Sequence, residues 1–363
     1  MKIIRTYILK EHLGPFVVIL SGLTAVMLVG NIIKLTELVI AKGVSIFDIL
    51  RLLLYLIPYL LCFSVPIACL IAMVMAFGRL SGDYELIALR ASGVAPARLI
   101  WPVLMAGLLL SGGVLLLNDQ VVPTAHLAFR RQLKAIGLKR PTAFLEAGTF
   151  IRQFDPYIIF IYHIEGKTLY NVRIYEPQPN GPTRTIVANR GEFEPLAAEH
   201  SLRLKLYEGT ADEWDPAHPG SFYKVAFGSY TMVLSTDQSA VEKLGKKLKE
   251  MTLGELLREH RRVKAQGIDP LPVTIEFHQK IASSFATVVF VMFGLAMGLG
   301  LHHQERLVMF VWVLGFTIAY YLTAVGMDAV VLKNWLPAWL AVWLPNLIGG
   351  TFGAVKLSQV VRH

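Results

Sequence analysis

The chain has 363 residues, of which 54% are hydrophobic and only 17% are charged, and its formal net charge is +9. This balance excludes an ordinary soluble domain and favours a polytopic membrane protein with one polar insert. Nucleic acid is not an expected partner, because much of the basic excess flanks apolar segments, where anionic headgroups and membrane orientation account for it.

Six apolar segments are long enough to cross about 30 Å of hydrocarbon. They lie at residues 13–34, 47–77, 98–118, 278–301, 306–328 and 337–357. The sequence therefore predicts an α-helical membrane protein with three transmembrane helices in 1–118, an insert in 119–277, and three more helices with a short tail in 278–363.

Basic residues predict the orientation of these helices. They concentrate before the first segment, between the second and third segments, and after the last, for example at Lys2, Arg79, Arg98 and Lys356. Short loops rich in Lys and Arg stay in the cytoplasm. Both chain termini are therefore predicted to be cytoplasmic, and the large insert is predicted to lie outside.

The polar stretch at 79–98, between the second and third segments, has the pattern of a short amphipathic helix. Ser81 and Asp83 are possible N-caps, and Gly93 is a possible stop. Two interpretations are open. The stretch is either a cytoplasmic loop that happens to be helical, or a coupling helix that docks into a groove of a cytoplasmic motor.

The insert changes to a period of two after a helical continuation that ends near Lys139. Six strands are predicted, at residues 149–154, 157–162, 172–175, 185–188, 202–207 and 222–227, separated by turn signals that include Gly191 and Gly209. Such short strands suggest a sandwich or a jelly-roll-like all-β domain. A helix follows at 252–265, opened by a capping-box pattern at Thr252 and Glu255.

Sites for nucleotide or metal are not expected on this chain. Gly166-Lys167-Thr168 matches the end of a phosphate-binding loop, but Ile161 stands where the first glycine should be, so a hairpin turn is favoured. The pair His302-His303 favours a solvated loop over a metal site. We expect no catalytic residue, no metal and no cofactor here.

Two glycine pairs allow helices to approach closely. They are Gly294-x-x-x-Gly298 and Gly349-x-x-x-Gly353. Packing within one chain explains them as well as dimerisation does.

Residues Asp83–Gly93 resemble the cytoplasmic loop of the lipopolysaccharide-export permeases of the LptF/LptG type, and the layout of the whole chain is similar to theirs. The resemblance implies a non-enzymatic permease subunit of an ABC transporter in the bacterial inner membrane, with the insert in the periplasm. It also implies the partners: a cytoplasmic ATPase dimer that holds ATP and Mg²⁺, a paralogous permease, lipopolysaccharide, and periplasmic bridge proteins of jelly-roll type.

The resemblance also implies two groups of site residues. The residues expected to couple the ATPase are Asp83, Glu85, Leu86, Leu89, Arg90, Ser92 and Gly93. Those expected to contact lipid phosphates are Lys34, Lys42 and Arg130. For Lys34, snorkelling to the membrane interface remains an alternative.

Two other functions remain open at this point. One is a mechanotransmission-type ABC membrane subunit, which moves its outer domain but passes no substrate. The other is a membrane-anchored scaffold whose outer sheet binds envelope proteins. A lack of lipopolysaccharide cross-links at Lys34 and inside the β-domain would favour the first. Unchanged growth, complex assembly and partner ATPase activity in Glu85→Arg would favour the second.

Overall fold

A computed structural model gives the fold. It describes residues 2–40, 44–95, 97–139, 148, 150–154, 156–165, 168–177, 183–196, 201–214, 222–235, 245–300, 306–333 and 335–362. The chain divides into two compact units. The first comprises Met1–Ile32, Leu53–Ala128 and Lys246–His363, and the second comprises Ile33–Leu52 and Phe129–Gly245.

The helices of the described chain follow the predicted order. They are α1 (Lys2–Ile40), α2 (Ile46–Gly82), α3 (Glu85–Ala91), α4 (Ala97–Leu116), α5 (Val122–Lys139), α6 (Leu253–Ala265), α7 (Leu271–Gly300), α8 (Arg306–Leu332) and α9 (Ala338–Arg362). Among the described residues, six helical segments are long and apolar enough to cross a membrane: α1, α2, α4 with α5, α7, α8 and α9. The predicted set of six is confirmed.

The core of the first unit surrounds α7, which is apolar on every side and buries most of its length. Its aromatic residues Phe290 and Phe293 pack on α8, with Phe293 and Phe316 stacked at 3.8 Å between ring centroids. Gly294 and Gly298 face α2 of the same chain, and Gly349 faces α7. The glycine pairs therefore serve packing within one chain.

The described residues of the second unit form a six-stranded antiparallel sheet, and all six predicted strands are confirmed. The strands are β1 (Phe150–Phe154), β2 (Tyr157–Glu165), β3 (Thr168–Glu176), β4 (Arg184–Leu196), β5 (Ser201–Trp214) and β6 (Phe222–Ser235). They lie side by side in chain order, as a meander. This order does not confirm the predicted jelly-roll connectivity, in which strands cross between two sheets.

Two glycines predicted to separate strands lie inside strands instead. Gly191 pairs with Leu206, and Gly209 pairs with Ala188 on one side and Phe227 on the other. A Cβ atom at Gly209 would lie 2.4 Å from the Phe227 ring and from the carbonyl oxygen of Val187. A glycine inside a strand marks such close approaches, and β4 and β5 are longer than predicted as a result.

The sheet curls around its apolar face. Phe154 on β1 and Phe193 on β4 stack with 6.3 Å between ring centroids. In a flat sheet, strands three positions apart would be separated by about 14 Å. Residues from all six strands, including Ile161, Ile174 and Leu206, form one buried cluster on the inside of the curl.

The strands on either side of Gly166-Lys167-Thr168 test the predicted hairpin turn against a phosphate-binding loop. Residues 166 and 167 lie outside the described part, as do His302 and His303. Glu165 and Thr168 are paired partners on the antiparallel strands β2 and β3. A phosphate-binding loop would instead lead from a strand into a helix, so the hairpin interpretation is correct.

Candidate coupling site

The turn that precedes α3 differs from the predicted one. α2 continues through Ser81 to Gly82, and the N-cap of α3 is Tyr84, at a left-handed φ of 59° and without a side-chain capping bond. The predicted caps Ser81 and Asp83 are therefore wrong, because Ser81 belongs to the preceding helix and the turn that follows is too short to leave Asp83 at the cap.

The end of α3 is the predicted one. Gly93 has a φ of 79° and donates its amide hydrogen to the carbonyl of Arg90 at 2.9 Å. The amide of Val94 donates to Leu89 at 3.1 Å. Glycine suits this left-handed stop because it has no Cβ atom.

One face of α3 is built into the core of the first unit. Leu86 is 3% exposed and belongs to the same buried cluster as Phe77, Leu80 and Leu99, while Leu89 is partly buried against that cluster. These two predicted coupling residues therefore fix α3 to the helical bundle. Leu86 is therefore not an apolar anchor on the surface of α3, and Leu89 is only partly exposed.

The opposite face of α3 is open and apolar. Tyr84 is 58% exposed and Ile87 is 48% exposed, and Ala88 and Ala91 lie exposed beside them. The sequence signal for this surface is a second apolar stripe, which contains Tyr84 and Ile87 and is offset by one residue from the stripe that contains Leu86. The sequence does not reveal which of the two apolar stripes faces the protein.

The polar residues of α3 and its turn are divided between surface and internal contacts. Asp83 and Ser92 are exposed, Arg90 is half-buried, and the Ser92 hydroxyl donates to the Ala88 carbonyl at 2.8 Å. The Glu85 carboxylate accepts a hydrogen bond from the hydroxyl of Tyr7, on α1, at 2.9 Å to Oε2. Glu85 is thus engaged within the chain.

The predicted lipid-phosphate residues lie only partly within the described residues. The side chain of Lys34, which belongs to α1, and the whole of Lys42 lie outside the described residues. Arg130 lies on α5 in the second unit, and its Nη2 donates to the carbonyl of Gly245 at 2.8 Å. At least one guanidinium donor of Arg130 is therefore used by the chain itself.

Lys280 is a residue that the sequence analysis missed. It lies in an apolar spanning segment and is only 4% exposed. Its Nζ donates to the backbone carbonyl of Asn118 at 3.1 Å, and the Asn118 side-chain amide donates to the carbonyl of Lys280, also at 3.1 Å. An ionisable residue at such a position is expensive and calls for a specific partner.

The reason for this partnership is a π-helical turn at Leu117–Val121, between α4 and α5. The amide of Val122 donates to Leu117, five residues earlier. The next residue, Pro123, has no amide hydrogen, so the Asn118 carbonyl lacks a donor from its own helix. Lys280 supplies that donor. The signal in the sequence was a lysine inside an apolar run together with a proline five residues after Asn118.

These features define a class: an integral membrane protein whose described residues include six helices able to span a membrane, a sheet inserted after the third of them, and a short surface helix after the second. Its sequence matches the family described as lipopolysaccharide export system permease LptF/LptG over residues 6–358. The chain belongs to this family. An uncharacterized protein of Rickettsia prowazekii is 23% identical over 286 residues, which cover 77% of each of the two chains.

Proposed function

We propose that this chain is the permease subunit of an ABC transporter that extracts lipopolysaccharide from the bacterial inner membrane and passes it to a periplasmic bridge. The observation that carries the proposal is α3. One of its faces is packed into the helical core, and the other presents Tyr84 and Ile87 to solvent. Membership of the lipopolysaccharide-export permease family supports the choice of cargo.

The energy comes from a separate cytoplasmic ATPase dimer, which holds ATP and Mg²⁺. Tyr84 and Ile87 are the apolar anchors that enter a groove on that ATPase, as in other helix-in-groove contacts. Leu86 and Leu89 then pass the movement into the core, because they are packed within it. The other predicted coupling residues surround the anchors: Asp83, Glu85, Arg90, Ser92 and Gly93.

Both chain termini are cytoplasmic in this proposal, and the sheet lies in the periplasm. The loops rich in Lys and Arg support this orientation. Lys34, Lys42 and Arg130 then lie towards the periplasmic side, where cations can pair with the phosphates of lipid A. A paralogous permease completes the cavity that receives the lipid.

The curled sheet suits a relay for acyl chains. Exposing hydrocarbon to water costs about 0.8 kcal/mol per CH₂ group, and the inside of the curl is lined by apolar side chains. Those side chains are packed together in this structure, so the curl must open to admit a chain. The lipid then passes to bridge proteins with a jelly-roll-like apolar interior of the same kind.

Docking is tested by placing a charge on the exposed face of α3. We expect Ile87→Arg to weaken co-purification of the ATPase about tenfold or more, because it removes an apolar side chain that docking buries. Ile3→Arg makes the same change at an exposed position on α1 and should leave docking intact. Undiminished ATPase binding by Ile87→Arg would refute the docking face and favour the scaffold function.

Passage of lipid is tested with a photoreactive phenylalanine analogue. At Phe193, inside the curl, it should capture lipopolysaccharide during ATP turnover. At Tyr162, exposed on the outer face of the sheet, it should capture much less. Equal capture at the two positions would refute the relay, and a lack of capture at both would favour a mechanotransmission subunit.

A further inference from the structure

The first turns of α1 carry a row of residues on one face of the helix. Tyr7, Ile8, Glu11 and His12 follow the spacing i, i+1, i+4 and i+5, which places them side by side. Ile8 and His12 are buried, and both lie against the region where α2 leads into α3. This foot of α1 therefore touches the elements that frame the coupling helix.

Two polar contacts tie the foot of α1 to those elements. The Tyr7 hydroxyl donates to the Glu85 carboxylate at the start of α3, at 2.9 Å to Oε2 and 3.2 Å to Oε1. Glu11 forms an ion pair with Arg79 in the last turn of α2, with 2.6 Å between Oε1 and Nη2. The two contacts lie on either side of the turn between α2 and α3.

Apolar contacts also hold the foot of α1 in place, between these two polar contacts. Ile8 belongs to the buried cluster that contains Phe77, Leu80 and Leu86. The ring of His12 meets Phe77 edge-on with 4.8 Å between centroids, and its Nδ1 donates to the carbonyl of Ile8 at 2.6 Å. A displacement of α3 must therefore either move the foot of α1 or break these contacts.

The rest of α1 contrasts with its foot. Its most apolar stretch contains no buried residue. A contact described higher on α1 is the Ser64 hydroxyl, which donates to the sulfur of Met27 at 3.5 Å. Phe16 and Leu20 also pack against the core but are only partly buried, so α1 is held most firmly at its foot and can move as a lever.

We infer that Tyr7 and Glu11 are positioning residues that make α1 follow the movement of α3. This inference rests on the proposed function, in which a motor pushes α3. The polar ties contribute little to folding, because the Arg79 and Glu11 side chains are partly exposed and surface ion pairs of this kind are weak. Their value lies in transmission, since Tyr7 connects α1 directly to α3 and Glu11 connects it to the end of α2 that leads into α3.

The ion pair allows a test by exchange of charges. Glu11→Arg and Arg79→Glu each place two like charges together, and the double variant restores an opposite pair. With the ATPase bound in proteoliposomes, we expect each single variant to release about five- to tenfold less lipopolysaccharide per ATP hydrolysed. The double variant should recover most of that loss. Tyr7→Phe, which keeps the ring and loses the hydroxyl, should show a smaller loss of the same kind.

Lys10→Glu is the matched control, because it reverses an exposed charge on the same turn of α1 and should change nothing. Unaltered lipid release per ATP in both single variants would overturn the inference. So would a double variant as defective as the single ones, because the pair would then not be the transmitting contact.

A second measurement separates this inference from the proposed cargo. A spin label at Val26, exposed on α1, reports a change in environment when ATP and vanadate are added. That change should be lost in Glu11→Arg and return in the double variant, even if wild-type protein releases no lipopolysaccharide. A label response that is the same in all variants would overturn the inference while leaving the proposed function intact.

Discussion

At the scale of single residues, two glycines set how closely α7 approaches α2. A Cβ atom at Gly294 would lie 2.8 Å from the Cβ of Met73, and one at Gly298 would lie 2.8 Å from the Cβ of Phe77. Neither neighbour is the flexible end of a side chain, so the helices themselves would have to move apart. The spacing of these helices therefore depends on the absence of two methyl groups.

We predict that Gly298→Ala lowers the free energy of unfolding by about 1–3 kcal/mol, the usual cost of overpacking a core. The matched control is Gly326→Ala on α8, where the new methyl group would meet nothing within 4 Å. Thermal unfolding of the purified proteins in one detergent measures the difference. A Gly298→Ala protein as stable as the control would contradict the packing of α7 on α2.

At the scale of elements, the π-helical turn is stabilised from a neighbouring helix. We predict that Lys280→Met destabilises the protein by about 1–3 kcal/mol, because the Asn118 carbonyl loses its donor. Pro123→Ala restores an amide hydrogen to the helix, so Lys280→Met should cost less in that background. Unfolding of the four proteins of this double-mutant cycle measures the coupling. Strictly additive effects would disprove the link between Pro123 and Lys280.

The start of α6 depends on pH through Glu255. The pKa of this carboxyl group is held below its ordinary value, first by a hydrogen bond from Lys246 and then by the backbone amide of Thr252. Because the folded-state pKa is lowered, the carboxylate stabilises α6 above its unfolded-state pKa of about 4.3. This contribution is lost as the pH falls through the lower folded-state value.

We therefore expect the α6 amides to lose protection against hydrogen exchange, after correction for intrinsic rates, as the pH falls from about 6 to about 3. Glu255→Gln should lack this step, because its side chain does not titrate. Glu259→Gln, on the same helix but outside the capping box, should retain it. If Glu255→Gln showed the full wild-type step, another group would be responsible.

The elements predictable from sequence are those that depend on local properties. The length of an apolar run indicates a spanning helix, and the period of two indicates a strand, so both sets were found. The capping box at Thr252 and Glu255 was found for the same reason, since its partners are three residues apart. The role of Gly209 was not, because it depends on Phe227 in a neighbouring strand.

The same difference between local sequence and distant partners decides which features of the candidate coupling site were predictable. The sequence located α3 and its glycine stop, since both are local. It could not decide between the stripes headed by Leu86 and Ile87, because that choice depends on what covers the helix. The pairing of Tyr7 with Glu85 and the role of Lys280 were hidden for a similar reason, since each partner lies far away in the sequence.

At the scale of the whole molecule, two spanning helices remain largely uncovered. The most apolar stretch of α1 has no buried residue and that of α8 has 6% buried, against 72% for α7. Lipid can cover such faces, but in the proposed transporter a paralogous permease completes the cavity that receives the lipid. We expect a second permease to bind at the uncovered faces of α1 and α8.

This arrangement predicts a cross-link between subunits. Val26 on α1 and Val325 on α8 are both exposed and lie in the second half of their helices, which is the outer half in the proposed orientation. With the buried Cys62 and Cys69 replaced by alanine, we expect cysteines at these two positions, on separate chains in intact membranes, to form a disulfide that yields a dimer on gels. Two differently tagged copies test self-pairing, and one copy with a paralogue tests mixed pairing.

Cysteine at Val291, fully buried on α7, should not pair with position 26 of another chain. A positive result at the buried position, or none for either kind of partner, would contradict pairing through α1 and α8, because disulfides require Cα atoms within about 7 Å.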